Sequence, residues 1–235
     1  MRIFLHLLCA VLLSNVSTSQ EDMGTRLLRQ PDISDTHICF SYGSDIWVIS
    51  KDGGEARRIT STQAVESNPF FSPDGEMIAF SSNRNGANDV YVVSAKGGEA
   101  TRLTWHPSGS LVRGWSTDGS KILFSSSRST APRPINKLYS ISVDQGIPEL
   151  LSDQWGYDGS YSPDNTQLVM DKMSRWDSEW RAYRGGQNTP LIILDLTTQE
   201  ETLIPNNKTT DIQPRWIGDH IYFLSDRDLV MNIWS

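Results

Sequence analysis

Residues 70–82 read FFSPDGEMIAFSS, and this stretch decides the fold. It holds a short aromatic segment, a polar turn and an apolar run. Pro73-Asp74-Gly75 is a turn with a mechanism: proline presets φ, aspartate bonds its own backbone and glycine accepts a positive φ. The run that follows, residues 77–82, is rich in strand-favouring residues and too short for a helix. The stretch therefore reads as a β-hairpin. Its pattern recurs as GWSTDGSKILFSSS at 114–127, SYSPDNTQLVMD at 160–171, RWIGDHIYFLS at 215–225 and PDISDTHICFS at 31–41.

Two more strands follow the hairpin. After the loop 83–88 come Asp89-Val90-Tyr91-Val92-Val93-Ser94, the turn Lys96-Gly97-Gly98-Glu99 and the short run 101–104. The first copy has the same order, with strands at 37–42 and 45–50, a turn at 52–55 and a short run at 57–60. Counted from the residue that ends the first strand, the spacings Ser34–Ser72, Ser72–Ser116 and Ser116–Ser162 are 38, 44 and 46 residues. From Ser162 to Ile217 the spacing is 55, so the fourth unit carries an insertion. Four-stranded units repeating every ~40–50 residues are the signature of β-propeller blades. The chain is expected to be all-β, with blades at about 24–60, 65–104, 110–152, 157–204 and 211–235. The fifth unit stops in its third strand, so about four and a half blades form an incomplete ring. This predicts the N-terminal piece of a longer protein. Pro132 and Pro134 exclude a central strand in the loop 128–136.

The 235 residues are 21% charged, with a net charge of −7. That balance argues against a general nucleic-acid surface, which is normally basic. Trp47, Tyr91, Trp115, Tyr139, Tyr161, Trp216 and Trp234 fall at blade positions and are expected to fill the wedges between blades. Cys9 and Cys39 offer no disulfide framework or zinc spacing, and Cys39 sits in an apolar alternation as a buried thiol.

Residues 1–19 have the three regions of a secretory signal peptide: Arg2, an apolar run at 3–13 and a small polar segment at 14–19. The apolar run is too short to span a membrane. Cleavage implies a secreted or periplasmic protein with no membrane span; read instead as a strand, the segment leaves a cytoplasmic one.

The insertion at 172–189 contains Ser174-Arg175-Trp176-Asp177, which reads as a capping box. Trp176, Trp180 and Tyr183 share one helical face, Arg175, Arg181 and Arg184 add charge, and Gly185-Gly186 ends the run. Such a stripe is core when it packs on its own blade. Exposed, with arginines beside the aromatics, it suits a peptide or protein partner.

No catalytic constellation stands out. His37 and His220 occupy matching turn-to-strand positions, His106 precedes Pro107, and there is no Gly-x-Ser-x-Gly elbow. Asp74, Asp118, Asp164 and Asp219 recur once per blade at tight turns, where turn chemistry explains them without a metal. No cofactor is implied. What remains is the ring's axis, lined in a propeller by the innermost strands. Asn68, Arg113, Asp158, Gln213 and Arg215 are the polar candidates for facing it, with Arg113 and Arg215 the cations for binding peptides or partners.

The units NPFFSPDGEMIAFSSNRNGANDVYVVSAKGGEATRLT and DIWVISKDGGEARRIT resemble the TolB-like propeller repeat. That repeat occurs in TolB, in tricorn-type proteases and in other secreted hydrolases. Residues 175–196, RWDSEWRAYRGGQNTPLIILDL, look like the Arg/Trp-rich Tyr-Arg-Gly-Gly segment of the tricorn N-terminal propeller. The propeller also starts directly after the leader, whereas TolB has an α/β domain first. The resemblance implies a multidomain serine peptidase, assembled as a hexamer, whose propellers gate peptides. Its catalytic core would lie beyond residue 235, so no catalytic residue is carried over. A leader departs from the cytoplasmic archaeal enzyme. The alternatives are a non-enzymatic TolB-like propeller that binds proteins, or the propeller of an amidohydrolase or prolyl-oligopeptidase-type hydrolase.

Overall fold

The computed structural model describes residues 27–172, 188 and 190–235. The leader expected at 1–19 and the insertion residues Arg175, Trp176, Trp180, Arg181, Tyr183 and Arg184 lie outside the described residues. The described residues contain no helix. They form five antiparallel sheets, four of four strands and one of three, each with its strands in sequence order.

Blade two shows the plan. Its inner strand Glu66–Phe71 pairs with Met77–Asn85, which pairs with Ala87–Ser94, which pairs with the short edge strand Thr101–Arg102. The hairpin predicted at 70–82 is the junction of the first two strands. The turn is closed by side chains. Ser72 Oγ donates to Asp74 Oδ1 at 2.6 Å, and the Met77 and Glu76 N–H groups donate to Ser72 Oγ and Asp74 Oδ1 at 2.9 and 3.0 Å. The same Ser-x-Asp closure recurs at Ser116–Asp118 and Ser162–Asp164, each with a 2.6 Å hydroxyl–carboxylate bond. These bonds hold the Asp74, Asp118 and Asp164 carboxyls below the usual range.

The core lies between blades. Successive strand residues point to opposite faces, so Ile78 and Phe80 pack against Cys39, Ile46 and Val48 of blade one. Ala79, between them, packs with Val112, Ile122 and Phe124 of blade three. Leu123 then joins Tyr161, Leu168 and Met170 of blade four. Burial on both faces explains why the second strands are almost continuously apolar. Phe80 stacks on its cross-strand partner Tyr91 at 5.7 Å, and Phe124 on Tyr139 at 5.6 Å. Burial pushes the Cys39 thiol up, as expected of an inert core thiol.

The aromatic expectation holds in part. Tyr91, Tyr139 and Tyr161 are buried, but Trp47, Trp115, Trp216 and Trp234 are only half-buried. Indoles carry an N–H that needs a partner. Trp47 Nε1 donates to the Tyr42 carbonyl at 3.0 Å, and Trp115 Nε1 reaches the Phe70 carbonyl of the preceding blade at 2.9 Å.

Candidate functional site

The inner strands of blades one, two and five, Arg29–Ile33, Glu66–Phe71 and Asp211–Ile217, share a local irregularity. Each shifts register against its partner, between residues 29 and 32, 67 and 70, and 212 and 215. At each shift stands an amide residue with positive φ: Gln30 at 52°, Asn68 at 53° and Gln213 at 54°. Each is followed by proline, at 31, 69 and 214. These are β-bulges, which re-aim side chains and take residues out of the ladder. Proline is tolerated there because the ladder is already interrupted.

A bulge leaves backbone donors without a strand partner, and the neighbouring blade supplies acceptors. Gln30 Oε1 accepts from the Asn68 N–H at 2.9 Å, and Asp32 Oδ2 from the Phe71 N–H at 2.8 Å. Ser81 Oγ accepts from Val112 at 2.8 Å, Asp171 Oδ2 from Gln213 at 3.2 Å and Ser160 Oγ from Trp216 at 3.1 Å. Ser81 and Asp171 occupy the same repeat position, nine residues past Ser72 and Ser162. Blades one and two, two and three, and four and five are thus latched side chain to backbone near the axis.

Two cavities lie along that axis, each lined by the inner strands of all five blades. One, about 730 Å³, is bounded by residues from the starts of those strands, among them Gln30, Asn68, Leu111, Tyr157, Asp158 and Gln213. The other, about 540 Å³, is bounded by residues toward their ends, among them Phe71, Trp115, Tyr161 and Trp216. Asp32, Phe70, Arg113 and Arg215 line both cavities and form the waist between them.

The waist is charged. Arg215 donates from Nη1 and Nη2 to Asp158 Oδ1 and Oδ2 at 3.0 and 3.3 Å, and lies 5.5 Å from the Phe70 ring centroid. Arg113 lies 4.0 Å over the Tyr157 ring, and its Nε donates to Ser125 Oγ at 3.0 Å. Asp171, opposite Asp158 in the ladder, accepts the Asp158 N–H at 2.8 Å. Burial first, and the Asp158 charge second, push the Asp171 carboxyl up to about 7. Burial also raises Asp32, against the Phe71 hydrogen bond.

All five residues expected at the axis line the first cavity: Asn68, Arg113, Asp158, Gln213 and Arg215. Asp32, Tyr157 and Asp171 went unread. Gln30-Pro31, Asn68-Pro69 and Gln213-Pro214, at one fixed offset, are the signal that finds the bulges. Among the described residues no three of His, Cys, Asp and Glu stand together as a metal site requires.

The family model of the tricorn protease N-terminal beta propeller domain matches residues 25–235. The chain belongs to this family. Tricorn protease homolog 1 of Streptomyces coelicolor is 32% identical over 202 residues, covering 86% of this chain and 19% of that protein. The chain thus spans about a fifth of the length of this relative. Among solved structures, the tricorn protease superposes with a TM-score of 0.73 at 24% identity, over 88% of this chain and 21% of that one. TolB from Acinetobacter baumannii superposes at 0.60 and 17% identity, over 84% of this chain and 51% of that one. At those identities the structures speak for the propeller fold alone.

Proposed function

We propose that this tricorn-type propeller binds and gates peptides for a serine-peptidase core carried elsewhere in the whole protein, and is itself without catalytic activity. The observation that carries the reading is the axial opening. Five inner strands line it, and the amide residues at three bulges border it. A peptide backbone offers alternating donors and acceptors, which amide side chains can match without selecting a sequence. The half-buried Trp115 and Trp216 at the second cavity give apolar side chains a surface. With the leader expected at 1–19, the role is proposed to be exercised outside the cytoplasm.

The ring is proposed to be completed by at least one further blade. Blade five supports this. Ile233 is 74% exposed, whereas Val90, its counterpart in blade two, is fully buried. Both residues sit one position before the aromatic that pairs with Phe223 or Phe80.

Fluorescence anisotropy with a labelled, unstructured decapeptide tests the reading. The full chain should bind it saturably without cleaving it, and Leu111→Trp, which narrows the first cavity, should weaken binding at least tenfold. Cleavage that co-purifies with the wild-type chain, or binding indifferent to Leu111→Trp, would overturn it. A second reading, a TolB-like propeller for protein partners, draws on the TolB superposition. It predicts binding of folded proteins with no affinity for the decapeptide.

A further inference from the structure

The five inner strands all run from the first cavity to the second. The turns that join first strands to second strands therefore gather at the second cavity's end. In blades one to four the turns that join third strands to fourth strands lie there too. The Lys51, Ala95, Val143 and Leu196 N–H groups donate to the Thr36, Glu76, Ser120 and Thr166 carbonyls, at 3.0, 2.8, 3.1 and 2.9 Å.

The charge of this end face is one-sided. The first set of turns, at 34–36, 72–76, 116–120, 162–166 and 218–219, carries Asp35, Asp74, Glu76, Asp118, Asp164 and Asp219 with no lysine or arginine. The second set, at 51–56, 95–100, 143–148 and 196–200, carries Asp52, Glu55, Glu99, Asp144 and Glu200 against Lys51 and Lys96. All eleven carboxylate residues are exposed. The excess of nine negative charges outweighs the net charge of −7 on the whole chain. The bordering strand residues Arg57 and Lys121 are matched by Glu149 and Asp195. Among the described residues, the turns of the opposite end hold Asp153, Asp226 and Asp228 against Arg128, Arg133, Lys172, Lys208 and Arg227.

Turn chemistry explains only part of this. Asp74, Asp118 and Asp164 close their turns, and serine hydroxyls keep them ionised. Asp52, Glu55, Glu99, Asp144 and Glu200 have no side-chain hydrogen bond or ion pair among the described residues. Gathering like charges on one face costs self-repulsion, which those five do nothing to offset. The second cavity reaches the same face. The exposed Asp35, Pro73 and Thr117 line it with the half-buried Trp115 and Trp216. Lys51 lines it as well, its ammonium donating to the Asp35 carbonyl at 2.8 Å.

We propose that this acidic end is the entrance to the axis, and that the ligands it draws in are cationic peptides, rich in lysine or arginine. The proposal rests on the peptide-binding reading above and adds to it the charge of the ligand and the end from which it enters. An opening rimmed by one sign of charge concentrates ligands of the other sign and speeds their association. Indole faces at the mouth attract cations in addition. Arg113 and Arg215 stand deeper, at the waist, so the cationic side chains stay at the mouth.

Stopped-flow fluorescence anisotropy with the full chain tests this at pH ~8, which keeps histidine out of the charge balance. The probes are three labelled decapeptides alike except at four positions, which are all lysine, all glutamine or all glutamate. At ~0.01 M salt the lysine peptide should associate at least tenfold faster and bind at least tenfold tighter than the glutamine peptide, with the glutamate peptide weakest. At ~1 M salt, where the Debye length falls from ~30 Å to ~3 Å, the three should agree within about threefold. Glu55→Gln, Glu99→Gln, Asp144→Asn and Glu200→Gln combined should remove most of the lysine peptide's advantage and leave the glutamine peptide's affinity unchanged. Asp153→Asn with Asp228→Asn, at the opposite end, should alter that advantage less than twofold. Equal binding of the three peptides at low salt, or a lysine advantage that survives the fourfold variant, would overturn the proposal while the peptide-binding reading stands. Binding of none of the peptides would sink both. Salt-sensitive binding of a folded basic protein, cytochrome c, without binding of any peptide would make the acidic face a protein-docking surface instead.

Discussion

At the scale of single residues, close packing and buried charge set the sharpest expectations. A Cβ built on Gly159 would stand 2.8 Å from the Val169 carbonyl oxygen and 3.2 Å from Leu138 Cδ1. Gly159→Ala must therefore push backbone, and should cost about 1–3 kcal/mol in urea unfolding. Asp171 gives a pH dependence of definite sign. Its carboxyl sits at about 7 in the folded chain against 3.8 as a free group. The folded state then holds the proton where the unfolded state has lost it. This contribution is complete below pH ~4 and is lost as pH rises toward ~7. Asp171→Asn, which cannot ionise, should flatten the stability profile over that interval. Asp74 and Asp118 act in the opposite sense. Their carboxyls are lowered by serine hydroxyls, so their contribution is lost only in stronger acid.

At the scale of the blade, one latch recurs in different chemistries. In blade two the Arg84 guanidinium lies 4.3 Å over Tyr91 and pairs with the buried Glu66 carboxylate. In blade five Arg227 lies 4.8 Å over Phe223 and pairs with Asp211 at 2.9 Å. In blade three Arg128 has the same ring contacts but Ser110 in place of the acid. Removing one partner of a buried pair leaves the other charged and dry. Arg84→Met should cost about 3–5 kcal/mol, and Glu66→Leu added to it should recover much of the loss. A double-mutant cycle by thermal or urea unfolding checks both. The strand plan was legible in the sequence because Ser-x-Asp turns and apolar runs repeat at one spacing. The bulges were less so. Their cause is a Gln-Pro or Asn-Pro pair whose meaning depends on a neighbouring blade that accepts the freed N–H. The wedge aromatics misled for a similar reason: an indole N–H seeks a carbonyl, and that holds Trp47 and Trp115 short of full burial.

At the scale of the whole molecule, the proposed function rests on two features, the exposed face of blade five and the charged waist. Equivalent positions should respond unequally. Val90→Asp places a charge between blades and should unfold the chain, whereas Ile233→Asp should change its stability by no more than about 0.5 kcal/mol. Melting curves of the two variants make the comparison. If Ile233→Asp is as damaging as Val90→Asp, the face of blade five is covered. The axial residues were readable as a set because they sit on strands whose order the repeat dictates. Which of them stay paired was not, since Arg215 and Asp158 are 57 residues apart and meet only in the ring. The account's central claim is that peptides occupy the axis. Its most direct test is photo-crosslinking of the full chain with a decapeptide carrying benzoylphenylalanine, the adducts being mapped by mass spectrometry. The account predicts adducts at axial residues such as Phe70, Leu111 and Tyr157, suppressed by excess unlabelled peptide. Adducts confined to the outer edge strands at 57–58, 101–102 and 149–150 would contradict it.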